Sequence, residues 1–173
     1  MSEAQVYIHV NGKPVTVPAA DADMSLAEFL HERLDLTGTK VCCGIGVCRA
    51  CTVGTRSNKS ALMEKTLACV TPVSAVANQH IYTVESLAQG SRLSTLQQTF
   101  LESFAFQCGY CTPGFLMAAT AMLEHLKAYR IGPDQLEATI DTWVGDNLCR
   151  CTGYVKYRDA IRKVAQMQMK SGG

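Results

Sequence analysis

Nine cysteines gathered into tight groups constrain this 173-residue chain more than any other feature. They stand at Cys42, Cys43, Cys48 and Cys51, then Cys69, then Cys108 and Cys111, and finally Cys149 and Cys151. Their number is odd, and the opening Met1-Ser2-Glu3-Ala4-Gln5 carries no export signal. The chain is also long enough to bury a core of its own. All three points weigh against a disulfide framework and favour metal ligation in a reducing compartment. Hydrophobic residues at 47% and charged residues at 18% exclude a disordered chain. A formal charge of +1 leaves no electrostatic footprint for nucleic acid or an anionic membrane. The longest apolar candidate, Phe115 to Leu123, is half the roughly 18 residues a membrane span needs and ends at Glu124. A soluble, cytoplasmic protein without a membrane span is the expectation.

The first half reads as mixed β with one helix. Val6 to Val10 is a strand, Asn11-Gly12 is the dipeptide a two-residue hairpin turn demands, and Pro14 to Val17 returns. Ser25-Leu-Ala-Glu28 has the spacing of a capping box, opening a helix with Leu26, Phe29, Leu30 and Leu34 on one face. Thr66 to Val70 and Ile81 to Val84 read as further strands. After a linker at Glu85 to Ser91 the pattern turns helical. Helices are expected over Leu93 to Phe106, Gly114 to Tyr129, Asp134 to Gly145 and Tyr154 to Met167. Four such helices with short connections suggest a helical bundle. There is no internal repeat. The chain divides into two domains, 1–86 and 87–173.

Counted from Cys43, the first group reads C-x4-C-x2-C with a distant fourth cysteine, Cys69. That is the plant-type spacing for a 2Fe–2S cluster. Three thiolates from one loop must wrap the cluster, and Gly44 and Gly46 permit the backbone conformations this needs. Cys42 is read as a bystander thiol, because only Cys43 gives the x4 spacing. The second group pairs Cys108-x2-Cys111 with Cys149-x-Cys151. Thr112 as N-cap with Pro113 after it, and Thr152 before the last helix, place these thiols near two positive helix ends. Four thiolates in such a place suit zinc nearly as well as a cluster.

Three segments carry a resemblance. Lys40 to Val53, Gln107 to Gly114 (Q-C-G-Y-C-T-P-G) and Asn147 to Tyr154 (N-L-C-R-C-T-G-Y) are similar to the iron–sulfur small subunit of the molybdenum hydroxylases. That family includes xanthine dehydrogenase, aldehyde oxidoreductase, carbon monoxide dehydrogenase and the isoquinoline oxidoreductase type. The resemblance implies an α+β chain, with an N-terminal β-grasp ferredoxin-like domain followed by a C-terminal four-helix bundle. It implies two 2Fe–2S clusters: an outer one on Cys43, Cys48, Cys51 and Cys69, and an inner one on Cys108, Cys111, Cys149 and Cys151. Gln107 and Cys151 match positions beside the molybdopterin cofactor, which a large catalytic subunit holds. Electrons would pass from that subunit through both clusters to an FAD-binding medium subunit or a cytochrome. No substrate site is expected on this chain.

Two residues depart from the family pattern. Arg49 and Cys42 stand where glycine is usual, and the Thr52 to Ala68 loop is longer than in the shortest members. Arg49 is expected to raise the outer cluster's potential by adding positive charge beside it. His9, His31, His80 and His125 lack metal or nucleophile spacing and read as ordinary surface or core residues. Met117 and Met122 read as core, Trp143 as an anchor of the bundle, and Tyr110 as packing or a contact for the large subunit. Competing readings are a stand-alone two-cluster ferredoxin-like carrier and a zinc-stabilised structural protein.

Overall fold

The computed structural model describes residues 6–171. A five-stranded mixed sheet forms the first half, in the order β2-β1-β5-β3-β4. Strands β1 (Val6–Val10) and β2 (Lys13–Val17) form the expected hairpin, with Asn11 and Gly12 both at positive φ, 51° and 82°. The remaining strands are β3 (Thr52–Arg56), β4 (Glu64–Leu67) and β5 (His80–Tyr82). Among the described residues only the β1–β5 pairing is parallel. Helix α1 (Leu26–Glu32) lays Leu26, Phe29 and Leu30 against Ile8, Val17, Val53 and Ile81, closing the first core.

Several boundaries differ from the sequence reading. Strand β3 lies where a loop is expected, and β4 ends at Leu67, so Cys69 sits in the turn that follows. At α1, Ser25 Oγ accepts the N–H of Glu28 at 3.2 Å, but the return bond from the Glu28 side chain does not form. A complete capping box occurs instead at Ser94 and Gln97, where α2 begins.

The second half holds α2 (Thr95–Glu102), α3 (Thr112–Ala128), α4 (Leu136–Val144) and α5 (Val155–Ser171). Their shared core includes Leu96, Phe100, Phe115, Met122, Ile140, Tyr157 and Ile161. Helix α2 stops earlier than its pattern suggests, and Phe104 turns the chain at φ 48°.

Helix α3 is apolar nearly all round because it is sandwiched. Gly114 through Ala119 are all buried, with α4 and α5 beside them and β3 and β4 across. Met63, just before β4, packs on Met117 and Ala121. The polar seam is equally direct. Glu124 binds Arg56 and accepts the Met63 N–H at 3.1 Å, and His125 Nε2 lies 3.2 Å from Glu64. Lys65 Nζ donates to the Trp143 carbonyl at 2.6 Å, setting a cation on the negative end of α4. Burial holds the Lys65 ammonium below its usual range.

The N-terminus of α3 lies tightly against the backbone of the first half. A Cβ on Gly114 would lie 2.5 Å from the Arg49 carbonyl oxygen and 2.9 Å from that of Ala50. Both obstacles are backbone, which cannot rotate aside as a side chain would. Gly114→Ala is therefore expected to destabilise the chain by roughly 1–3 kcal/mol, whereas glycine-to-alanine changes in helices ordinarily stabilise. Denaturant unfolding of the two proteins side by side checks this.

Candidate metal centres

The loop over residues 41–51 carries no regular secondary structure before its final turn, so its shape rests on special backbone angles. Gly44 and Gly46 take φ of 69° and 76°, and Arg49 takes 58° at a left-handed position that favours glycine. The winding points amides inward. The Cys48 N–H donates to Cys43 Sγ at 3.4 Å. That bond, with a second from the Ile45 N–H, draws the Cys43 thiol down to about 6. Cys51 lies deep at the root of β3, and burial pushes its thiol up to about 12. Burial also raises Cys48.

The second set is built from two loops. Cys108 is exposed in the bend before α3, and Cys111 is the N-cap of that helix. Thr112, expected as the cap, turns its hydroxyl to Tyr157 at 2.8 Å instead. The Tyr157 hydroxyl also meets Cys111 Sγ at 3.4 Å, and burial lifts Cys111 to about 11. Helix α5 starts at Val155, so Cys149 and Cys151 sit in the loop ahead of it rather than in its first turn. Burial pushes Cys149 up, but hydrogen bonds outweigh it and the thiol is lowered. The Thr152 hydroxyl donates at 3.1 Å, joined by the N–H groups of Thr152 and Cys151. Contact with the Cys108 thiol raises Cys151.

The thiols meet in pairs: Cys43 with Cys48, Cys51 with Cys69, Cys108 with Cys151, and Cys111 with Cys149. Cys108 Sγ and Cys151 Sγ are 3.6 Å apart. Two thiolates on one tetrahedral metal with bonds of about 2.3 Å lie roughly 3.8 Å apart. Among the described residues no three cysteine, histidine, aspartate or glutamate side chains close on one ion. Two adjacent pairs per set fit a two-iron cluster, each iron taking one pair. They fit a single tetrahedral zinc poorly. Cys42 is exposed and belongs to no pair.

Three hydrogen bonds join the two sets. Tyr110 Oη donates to the Val41 carbonyl at 2.7 Å, Leu148 N–H to the Cys48 carbonyl at 3.0 Å, and Asn147 Nδ2 to the Arg49 carbonyl at 3.1 Å. The sequence reading took Tyr110 as packing or a contact for the large subunit and assigned nothing to Asn147, whose position inside the quoted motif was its only signal. Arg49 pairs with Asp146 at 2.9 Å, which offsets its charge beside the outer set. Lys40 brackets a turn through the Thr37 carbonyl at 2.6 Å. Gln107 is exposed beside exposed Cys108 and Cys151, with no hydrogen-bond partner among the described residues. Exposed apolar side chains flank both sets: Ile45 and Val47 at the first, Phe104 and Val155 at the second.

Residues 8–74 match the family described as 2Fe-2S iron-sulfur cluster binding domain. Residues 83–162 match the family described as 2Fe-2S binding domain. The nicotinate dehydrogenase small FeS subunit of Eubacterium barkeri is 33% identical over 162 residues, covering 94% of this chain and 95% of that protein. Xanthine dehydrogenase 1 of Arabidopsis thaliana is 36% identical over 167 residues, covering 94% of this chain. The chain spans only 12% of that relative's length. The crystal structure of quinoline 2-oxidoreductase from Pseudomonas putida 86 superposes with a TM-score of 0.80 at 34% identity, covering 98% of both chains.

Cys43→Ser is expected to remove about half of the bound iron, while Cys42→Ser leaves it at the wild-type level. Iron per chain and visible absorption of the purified variants check the assignment.

Proposed function

The chain belongs to the 2Fe–2S iron–sulfur subunits of the molybdenum hydroxylases, and from that premise we propose that it is the electron conduit of a multi-subunit molybdenum-dependent dehydrogenase. The observation that carries this reading is the pairing of eight thiols into two sets of four, joined by hydrogen bonds between their loops. A 2Fe–2S cluster supplies one-electron storage, accepting and releasing a single electron. Cys43, Cys48, Cys51 and Cys69 would hold the outer cluster, and Cys108, Cys111, Cys149 and Cys151 the inner one.

The chain's own residues divide the work. Cys48, Cys51 and Cys149 are buried and anchor the sets to the core. Cys108 and Cys151 reach the surface, so electrons enter where a partner can come close. Gln107 stands on that same surface with its amide free to bind the molybdopterin of a large catalytic subunit. The outer set would deliver electrons to an FAD-binding subunit or a cytochrome. We read residues 1–86 as a β-grasp ferredoxin-like domain and 87–173 as a four-helix bundle. The separate cores on the two sides of the 3-10 turn at Val84–Leu87 support that division. No helix among the described residues is long and apolar enough to cross a membrane. We propose a cytoplasmic location, a reducing compartment in which clustered thiols stay available for metal.

A stand-alone two-cluster carrier is the second reading. Exposed Ile45, Val47, Phe104 and Val155, two of them flanking each set, favour a chain held between partners at both sets, since exposed apolar groups gathered together mark interaction surfaces. Purification of the full assembly from its native cell separates the two. Molybdenum co-purifying with the chain, together with two clusters' worth of iron, is expected. A monomeric, iron-loaded chain free of molybdenum would overturn the subunit reading.

A further inference from the structure

Asn147 is 1% exposed, yet its amide is only half used. Nδ2 donates to the Arg49 carbonyl at 3.1 Å, while Oδ1 has no partner among the described residues. Burying an amide with an empty acceptor is costly, so an apolar residue of the same size would serve better if packing alone mattered. The bond that Asn147 makes must then account for its presence.

That bond belongs to a short ladder between the two cysteine loops. Asn147 and Leu148 donate to the successive carbonyls of Arg49 and Cys48, at 3.1 and 3.0 Å. Cys48 and Cys149 are therefore linked through backbone and a single hydrogen bond, Leu148 N–H to Cys48 C=O. Arg49 itself sits at φ 58°, in the left-handed region. The adjoining Arg49–Asp146 ion pair is partly exposed on both sides and adds little of its own. Each loop also has independent support. The Arg49 carbonyl accepts the Thr52 N–H at 3.2 Å and its hydroxyl at 2.8 Å, while Thr152 and Tyr154 hold the Cys149 loop. Removing the Asn147 amide would leave both loops folded and loosen only the register between them.

The geometry points to Asn147 as a positioning residue that sets the coupling between the two redox centres by holding Leu148 N–H on the Cys48 carbonyl. This rests on the two-cluster reading above. The test is low-temperature EPR of the fully reduced holoprotein, reading the line splitting produced by interaction of the two cluster spins, with iron quantified on each sample. In Asn147→Leu and Asn147→Ala the splitting should fall to half or less of the wild-type value at unchanged iron content. Arg49→Lys keeps both the carbonyl and the cation and should retain the wild-type splitting. Undiminished splitting in both Asn147 variants overturns the inference, as does loss of the inner cluster in both, which would make Asn147 a folding residue of that loop. Two wild-type signals without any splitting overturn it as well. A wild-type protein lacking two signals overturns the two-cluster reading itself.

Discussion

Residues 48 to 50 are the point on which both halves of the molecule bear. The carbonyls of Cys48 and Arg49 accept hydrogen bonds from the Cys149 loop, and Gly114 brings the N-terminus of α3 against the backbone of Arg49 and Ala50. The segment runs between Cys48 and Cys51, so the contact that joins the halves is also part of the first cysteine loop. Helix α3 in turn has Cys111 as its N-cap. Packing and the placement of the cysteines are thus the same event here. A displacement of α3 along β3 would move Cys111 relative to Cys48 and separate the cysteine sets from each other.

The thiols within each set occupy contrasting environments. Backbone amides draw Cys43 down to about 6, whereas burial lifts its neighbour in the same set, Cys51, to about 12. In the second set burial raises Cys111 while donors lower its partner Cys149. Ligation requires thiolates, so metal loading must displace protons from the buried members and is coupled to pH. Cys43, drawn down to about 6, needs the least displacement of this kind.

Much of this was legible in the sequence, and for identifiable reasons. Asn11-Gly12 specifies its turn, since few other dipeptides tolerate two positive φ values. The plant-type spacing from Cys43 marks its loop because wrapping a cluster restricts the number of residues between ligands. Strand β3 was not legible: Gly54 interrupts its pattern, and its reason for being glycine is the Met63 sulfur packed where a Cβ would stand. The early end of α2 at Phe104 was hidden too, because an aromatic residue gives no warning of a left-handed turn. The links between the cysteine sets end on backbone carbonyls, and any residue supplies a carbonyl. Asn147 and Gly114 could be seen in their motifs, but not what they touch.

The central claim is that the eight paired thiols hold two irons per set. Iron and acid-labile sulfide per chain, measured together with EPR during stepwise reduction, test it most directly. The account predicts about four irons, about four sulfides and two distinguishable 2Fe–2S signals. A colourless protein carrying zinc without sulfide after anaerobic purification would contradict it.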